Sequence, residues 1–579
     1  MAARRGVWLV LSLIAVAIVI SMAGVIFTSF FMTRRPVVPS TTALVFEATG
    51  ELDEIEGLGL LDQLIEAPPT VRAVVEAIRA AKTDRRVKAL IVRPAGDSPF
   101  WAKTQEIRDA IVDFRTSGKK TVAFLEYGGD QEYYLASACE RVVLLPTSVL
   151  DLKGLATYEV FLRGTFDKIG TEPNLLHIGD YKTAINTFTE KTFTPAHREM
   201  TEALNADTLD QIVQGIAVAR KKTPEEVRAL IDQGPFLPED ALRTGLVDDL
   251  AYRDEIAASV GLEDAEPTEM ENYVLARQAG LSFRRGSRIA LIYAVGAIAS
   301  GRSRGGDSSY AGSESLVEYI EEAAEDDSIK AIVLRVDSPG GSSIASDVIW
   351  RALMLAREKK PLVVSMSNLA ASGGYYIAMP GHVIVAQPGT LTGSIGIFTG
   401  KFVTAGTFAK LGANVEGVSL GKFADMNSPI RPYSPEERAK VEEQMQAFYD
   451  QFVEKAAQAR KVTPEKLDAI AQGRVWTGRQ AHKIGLVDEL GGLPRAIAIA
   501  RERAKIPADQ EVGIVVYPAK PSFFEALSHP FGQSEESRTN ALLAALPAGE
   551  RRILRDLAAP LRLLRRGDPL ALMPYVFVR

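Results

Sequence analysis

Ser372 stands in the run Ala370-Ala371-Ser372-Gly373-Gly374-Tyr375, between an apolar, β-rich stretch and a helix-like one. Small neighbours on both sides give a serine there the exposure that a nucleophile needs. Upstream, the apolar run Ala331–Val336 leads into Asp337-Ser338-Pro339-Gly340-Gly341-Ser342. Glycines at a strand-to-helix turn let backbone N–H groups approach a ligand closely. Such groups at Gly340 and Gly341 can form an oxyanion hole for acyl transfer. Singly, each motif is weak: a Gly-Gly turn is usually a plain loop, and Ser372 alone could cap a helix. A nucleophilic serine also needs a base. The five histidines, at 177, 197, 382, 482 and 529, form no triad motif, and no Gly-x-Ser-x-Gly elbow surrounds Ser372. A lysine is the alternative base.

Much of the chain is written twice, which supplies an internal control. Lys88-Ala-Leu-Ile-Val-Arg93 matches Lys330-Ala-Ile-Val-Leu-Arg335, and Tyr133-Tyr134-Leu135-Ala136 matches Tyr375-Tyr376-Ile377-Ala378, both at a shift of 242. Gly245-Leu246-Val247-Asp248 returns as Gly485-Leu486-Val487-Asp488 at a shift of 240. Two homologous halves therefore run from 42 to 262 and from 286 to 505, near enough. At the shift of 242, Asp130-Gln131-Glu132 falls on Ser372-Gly373-Gly374, and Asp97-Ser98-Pro99 on Pro339-Gly340-Gly341. The first half kept the scaffold and lost the serine and the glycines. A packing requirement would have persisted in both copies. In reverse, Tyr181-Lys182-Thr183-Ala184 falls on Phe423-Ala424-Asp425-Met426, so Lys182 belongs to the first half alone. Lys422, one step from the match, is a competing cation. Tyr375 and Tyr376, present in both copies, read as core.

Within each half, apolar runs alternate with helical patterns. Ala331–Val336, Pro361–Ser365 and His382–Ala386 read as buried parallel strands, and Ile344–Glu358 as a helix. That order implies βα units with right-handed crossovers, an α/β fold. Ser434-Pro435-Glu436-Glu437 opens a long helix to Gln458, and Thr194-Pro195 opens its first-half counterpart. The expected organisation is an anchor at 1–35, a first repeat at 36–285, a second at 286–505 and an extension at 506–579. Residues 541–564 of that extension read as helical.

The chain of 579 residues carries 46% hydrophobic and 24% charged residues, which excludes a mainly disordered protein. A net charge of −6 argues against nucleic acid as partner. The single Cys139 excludes an intramolecular disulfide and a cysteine-based zinc site, and no His-Glu-x-x-His motif occurs. No metal or cofactor is expected. From Gly6 to Met32 the chain is uncharged and largely apolar, long enough to span a bilayer as a helix. We read it as an uncleaved signal anchor touching membrane lipid, with the N-terminus inside and the bulk outside the cytoplasm; the alternative is a cleaved export signal.

Taken as a set, Ser-Pro-Gly-Gly-Ser (338–342), Ala-Ser-Gly-Gly-Tyr (371–375), Leu-Thr-Gly-Ser-Ile-Gly (391–396) and Tyr-Lys-Thr-Ala (181–184) resemble the S49 serine peptidases. The resemblance is to their long, duplicated form, signal peptide peptidase A or protease IV. It implies Ser372 as nucleophile, Lys182 as general base, Ser394 as the serine accompanying the lysine, and Gly341 with Gly340 as oxyanion donors. It also implies a Clp-protease/crotonase-like fold and a tetrameric bowl tethered to a bacterial cytoplasmic membrane, its catalytic part outside the cytoplasm. Remnant signal peptides and other extended hydrophobic peptides would be the substrates. Asp337 departs from the family pattern, where asparagine is expected, and its charge should point away from the oxyanion turn.

Lysine ordinarily titrates near 10.4, so about one molecule in 10³ would be neutral at pH 7. Burial between the halves could make the amine a base, because desolvation disfavours the ammonium. One chain holds both halves, so we expect the pair to form within one chain. Two competing readings are a crotonase-type acyl-CoA enzyme and a non-enzymatic membrane scaffold of degenerate repeats.

Overall fold

The computed structural model describes residues 36–49, 52–56, 69–263, 266–278, 286–303, 310–507, 510–519, 569–573 and 577–578, positions 97 and 99 excepted, together with positions 16, 20 and 24. Among the described residues no helix is long and apolar enough to cross a membrane. The expected anchor at 6–32 and helix at 541–564 lie outside them, those isolated positions apart.

Each half builds a parallel sheet from its β-branched runs. In the first, the strand order is Thr268–Glu269, Thr42–Thr49, Val87–Ala95, Lys120–Leu125, Arg141–Leu144, Asp249–Leu250. In the second, Arg288–Val295, Ile329–Ser338, Leu362–Ala371, Val383–Ala386 and Glu489–Leu490 repeat the last five places of that order, all parallel. Helices cover both faces of each sheet, so the strands are buried on two sides and read as nearly continuous apolar runs. The paired tyrosines do the same work in both halves. Tyr133 Oη donates to Leu246 O at 2.6 Å, and Tyr375 Oη donates to Leu486 O at 3.1 Å.

The long helices are Pro195–Arg220 and Pro435–Arg460. Thr194 and Ser434 cap them through their side chains, with proline in the first turn. Each ends at a lysine, Lys221 or Lys461, in left-handed backbone. Two sequence expectations change in extent. The strand expected at 361–365 continues to Ala371, because its polar residues Ser365, Ser367 and Asn368 are buried and hydrogen-bonded rather than marking a loop. The Gly340-Gly341 turn is itself a short strand, Gly340–Ser342, before the helix Ser343–Lys359.

A third sheet joins the halves. Its order is Tyr310–Gly312, Ala297–Ala299, Gly340–Ser342, Leu570–Leu572, Ile397–Val403, Glu172–Ile178. The last strand comes from the first half and pairs antiparallel with Ile397–Val403 of the second along its whole length, Ile178 opposite Ile397 and Glu172 opposite Val403.

Buried charge locks the same junction. Arg335, 1% exposed, donates to Glu54 at 2.8 and 2.9 Å and to Glu106 at 3.0 Å, and Ser365 Oγ accepts a further bond at 2.9 Å. Both glutamates belong to the first half. Burial works to raise the Glu54 carboxyl, but Arg335 and Lys103 outweigh it and hold it at about 2. Two buried carboxylates left here without the guanidinium would carry the full desolvation cost. Truncating Arg335 to alanine is therefore expected to destabilise the protein by roughly 3–5 kcal/mol, whereas Arg335→Met with Glu54→Gln and Glu106→Gln should cost much less. Urea midpoints of the two variants check this; equal losses would contradict it.

Candidate active site

The lysine reaches the second half on its strand. After Glu172–Ile178 the chain turns through Gly179–Tyr181 against the backbone of Gln472 and Gly473. Tyr181 N donates to Gln472 O at 2.8 Å. A Cβ on Gly473 would lie 2.5 Å from Lys182 N, so only glycine lets the two backbones meet there. Lys182 follows, with no exposed surface.

Ser372 follows the strand Leu362–Ala371 and stands at the N-cap position of the helix Gly373–Ala378, its side chain making no cap bond. Its φ of +56° is costly for a residue with a side chain. The turn is held from both sides: Ser372 N donates to Gly393 O at 2.7 Å, and a Cβ on Gly374 would lie 2.7 Å from Ser338 O. Ser394 is strained likewise, at φ +51°, and its N donates to Arg474 O at 2.7 Å. The two strained serines thus face one amine. Lys182 Nζ lies 2.7 Å from Ser372 Oγ, 3.0 Å from Ser394 Oγ and 3.0 Å from Ser394 O. Lys422, the competing cation, is exposed and pairs with Glu436.

Gly340 and Gly341 have φ of +103° and +156° and lie beside the same turn. A Cβ on Gly373 would be 3.1 Å from Gly341 N, so the N–H of Gly341 and the residue after Ser372 are neighbours. Asp337 does point away. Its carboxylate pairs with Lys103 at 2.9 Å and accepts from Leu369 N at 3.0 Å.

The comparisons with known proteins agree on one family. The model of peptidase family S49 matches residues 113–265 and again 354–507. The chain belongs to peptidase family S49. Serine protease SPPA, chloroplastic, of Arabidopsis thaliana is 39% identical over 75% of this chain and 66% of its own length. Protease 4 of Salmonella typhi is 35% identical over 75% of this chain and 72% of its own. The chain is a serine peptidase made of two S49 repeats. A solved ClpP1 of Listeria monocytogenes is 15% identical, with a TM-score of 0.24 over 36% of this chain and 94% of its own. That likeness is too small to bear on the fold, which stands on the sheets themselves.

In this S49 peptidase the amine is the electrostatic anomaly. Burial pushes the Lys182 ammonium well below the usual lysine range. Among the described residues its three hydrogen-bond partners are a hydroxyl, a hydroxyl and a carbonyl, with no carboxylate. A neutral amine has two N–H groups and one lone pair. With the carbonyl and hydroxyl of Ser394 accepting its two N–H bonds, a neutral amine would keep its lone pair for the Ser372 hydroxyl. Burial favours that neutral form.

Sequence reasoning missed two sets of residues. Glu54, Glu106 and Lys103 carry no motif, and Arg335 drew no notice because Arg93 matches it. The other is the tail strand Leu570–Leu572, which has no counterpart in the repeat and, as Leu-Ala-Leu, no strand signal of its own.

The unfolded chain binds a proton at Lys182 up to about pH 10.4, and the folded chain releases it earlier. Folded stability therefore rises with pH between those two limits. Lys182→Met removes the effect. Relative to wild type, the variant should gain about 1.4 kcal/mol for each pH unit below ~10.4, until the folded lysine protonates. Paired urea titrations from pH 6 to 10 test the slope, and a difference independent of pH would exclude a buried neutral amine.

Proposed function

We propose that the chain is a membrane-anchored serine endopeptidase working through a Ser372/Lys182 dyad. Lys182 takes the Ser372 proton as Oγ attacks a peptide carbonyl, and the Gly341 and Gly340 backbone holds the oxyanion. The leaving amine takes the proton back, and Lys182 then activates water against the acyl-enzyme. Ser394 is a positioning residue that aims the lone pair. The observation carrying this reading is the 2.7 Å approach of a fully buried amine to the strained serine.

Extended apolar peptides are the substrate class, remnant signal peptides among them. The apolar surroundings of Ser372 support this. The uncharged span at 6–32 supports a single membrane anchor with the peptidase outside the cytoplasm. We read the halves as Clp-protease/crotonase-like on the strength of their repeated parallel order, and the assembly as a homotetramer by family resemblance.

Ser372→Ala and Lys182→Met should each lower kcat on an apolar peptide by at least about 10³-fold without unfolding the protein. Ser394→Ala should cost about tenfold, the worth of one hydrogen bond of ~1.4 kcal/mol. Full activity in either dyad variant would remove that residue from the mechanism. A correctly assembled but inactive wild type would favour the scaffold, and thioester turnover the crotonase-type enzyme. Because only the neutral amine is a base, kcat should rise with pH and level off well below pH 10. A rate still climbing near pH 10.4 would mean an unshifted lysine.

A further inference from the structure

The strands that lead to the Gly340-Gly341 turn and to Ser372 are parallel neighbours, and they fall out of step just before the site. Ile329–Ser338 pairs with Leu362–Ala371 residue for residue from Ile332 opposite Leu362 to Val336 opposite Met366. The next pair is Ser338 opposite Ala370. Between those two pairs, Asp337 alone stands against Ser367, Asn368 and Leu369. A bulge of this kind re-aims the end of the strand that carries the extra residues. That end is Ser372, close beyond Ala370, while Gly341 lies close beyond Ser338. The way the bulge is held therefore sets the offset between the hydroxyl and the Gly341 N–H.

Asp337 holds it with its side chain. Oδ1 accepts from Leu369 N at 3.0 Å, so the carboxylate takes up a main-chain N–H inside the interruption. The other oxygen, Oδ2, meets Lys103 Nζ at 2.9 Å, with the two side chains 11% and 10% exposed. Lys103 is fixed in turn to the first half, its Nζ donating to Leu52 O at 3.1 Å. Its main-chain N donates to Asn368 Oδ1 at 3.0 Å, which ties a second bulge residue. The third, Ser367, accepts from Arg335 at 3.2 Å through Oγ and from Thr390 Oγ1 at 2.8 Å through its carbonyl. Side chains thus tie every residue of the bulge, and the tie on Leu369 is the carboxylate.

The repeat separates this device from the needs of the fold. At the shift of 242, Asp337 falls on Ala95, and Lys103 falls on Ala345. The first-half counterpart of Leu362–Ala371 is Lys120–Leu125, which stops at the match of Ser367. The copy that lacks the serine therefore lacks the carboxylate and the bulged strand end as well, and it still builds its sheet.

We propose that Asp337 is a positioning residue for the peptidase reaction: as the acceptor for Leu369 N, held in place by Lys103, it sets the separation of the Ser372 hydroxyl from the Gly341 N–H. This rests on the dyad reading above. The carboxylate touches no reacting atom and acts through the two strand ends. An offset wrong by about an ångström leaves a peptide bound, with its carbonyl poorly placed between nucleophile and donor. The loss therefore falls on kcat rather than on KM. What the reaction requires at position 337 is an acceptor; the charge serves to engage Lys103.

Two double variants of the full-length protein in detergent test this. Asp337→Asn with Lys103→Met keeps an acceptor for Leu369 N and leaves no unpaired charge. Asp337→Leu with Lys103→Met has the same charge balance and a side chain of similar size, but no acceptor. On an apolar peptide the asparagine pair should keep kcat within about threefold of wild type, whereas the leucine pair should lose about 10²-fold in kcat with KM changed by no more than about twofold. The midpoint of the pH–rate profile should match wild type in both, because Lys182 is untouched. Equal kcat in the two pairs, a loss carried by KM, or a shifted midpoint overturns the proposal. If urea titration shows the leucine pair unfolded, Asp337→Ala with Lys103→Met takes its place under the same expectations. Ser372→Ala in the same assay separates the two readings. Its inactivity leaves the dyad standing whatever the pairs show, and its full activity removes both.

Discussion

A buried amine with no carboxylate partner among the described residues is what the rest of this structure has to make possible. Desolvation of an ammonium is expensive, and here hydroxyl and carbonyl dipoles replace the carboxylate that would ordinarily offset it. Burial favours the neutral form, which is also the only form that can accept a proton. In the proposed mechanism stability and reactivity therefore ask for the same state. The strained backbone at Ser372 and Ser394 belongs to the same requirement, since both serines must reach the nitrogen from fixed directions.

Holding such a site between two homologous halves demands a rigid junction. Antiparallel pairing of Glu172–Ile178 with Ile397–Val403 sets the position of Lys182 along the groove. The Glu54–Arg335–Glu106 cluster and the Lys103–Asp337 pair fix the halves at another point, on the strand that leads to Gly340. The aspartate beside Gly340 and Gly341 is thereby neutralised by a cation from the other half. In the proposed mechanism an acid at that position does not oppose a developing oxyanion.

Much of this was legible in the sequence because duplication separated chemistry from packing. Ser372, Gly340, Gly341 and Lys182 each occur in one copy only, whereas Tyr133 and Tyr375 recur and make equivalent core hydrogen bonds. The long helices were legible from Thr194-Pro195 and Ser434-Pro435, whose capping chemistry is local. The clamp was not. Glu54 and Arg335 are 281 residues apart, and nothing in their neighbourhoods distinguishes them from surface charges. The same comparison of copies misled at Arg335, whose match at Arg93 suggests a shared packing role. Arg93 has no Glu54 to meet; among the described residues its ion-pair contact is Glu47, 3.7 Å away. The tail strand escaped notice for a different reason: three residues carry too little periodicity to be read as a strand.

The strand that crosses from one half to the other has a kinetic meaning. Were the two halves separate polypeptides, bringing amine to hydroxyl would be a bimolecular encounter, and the fraction of competent sites would fall on dilution. Covalent fusion turns that encounter into closure of a tether, with an effective local concentration that no change in expression level can alter. In the proposed mechanism, carrying both halves in one chain is therefore a guarantee of stoichiometry: each chain that folds brings one amine to one Ser372 hydroxyl, however dilute the protein.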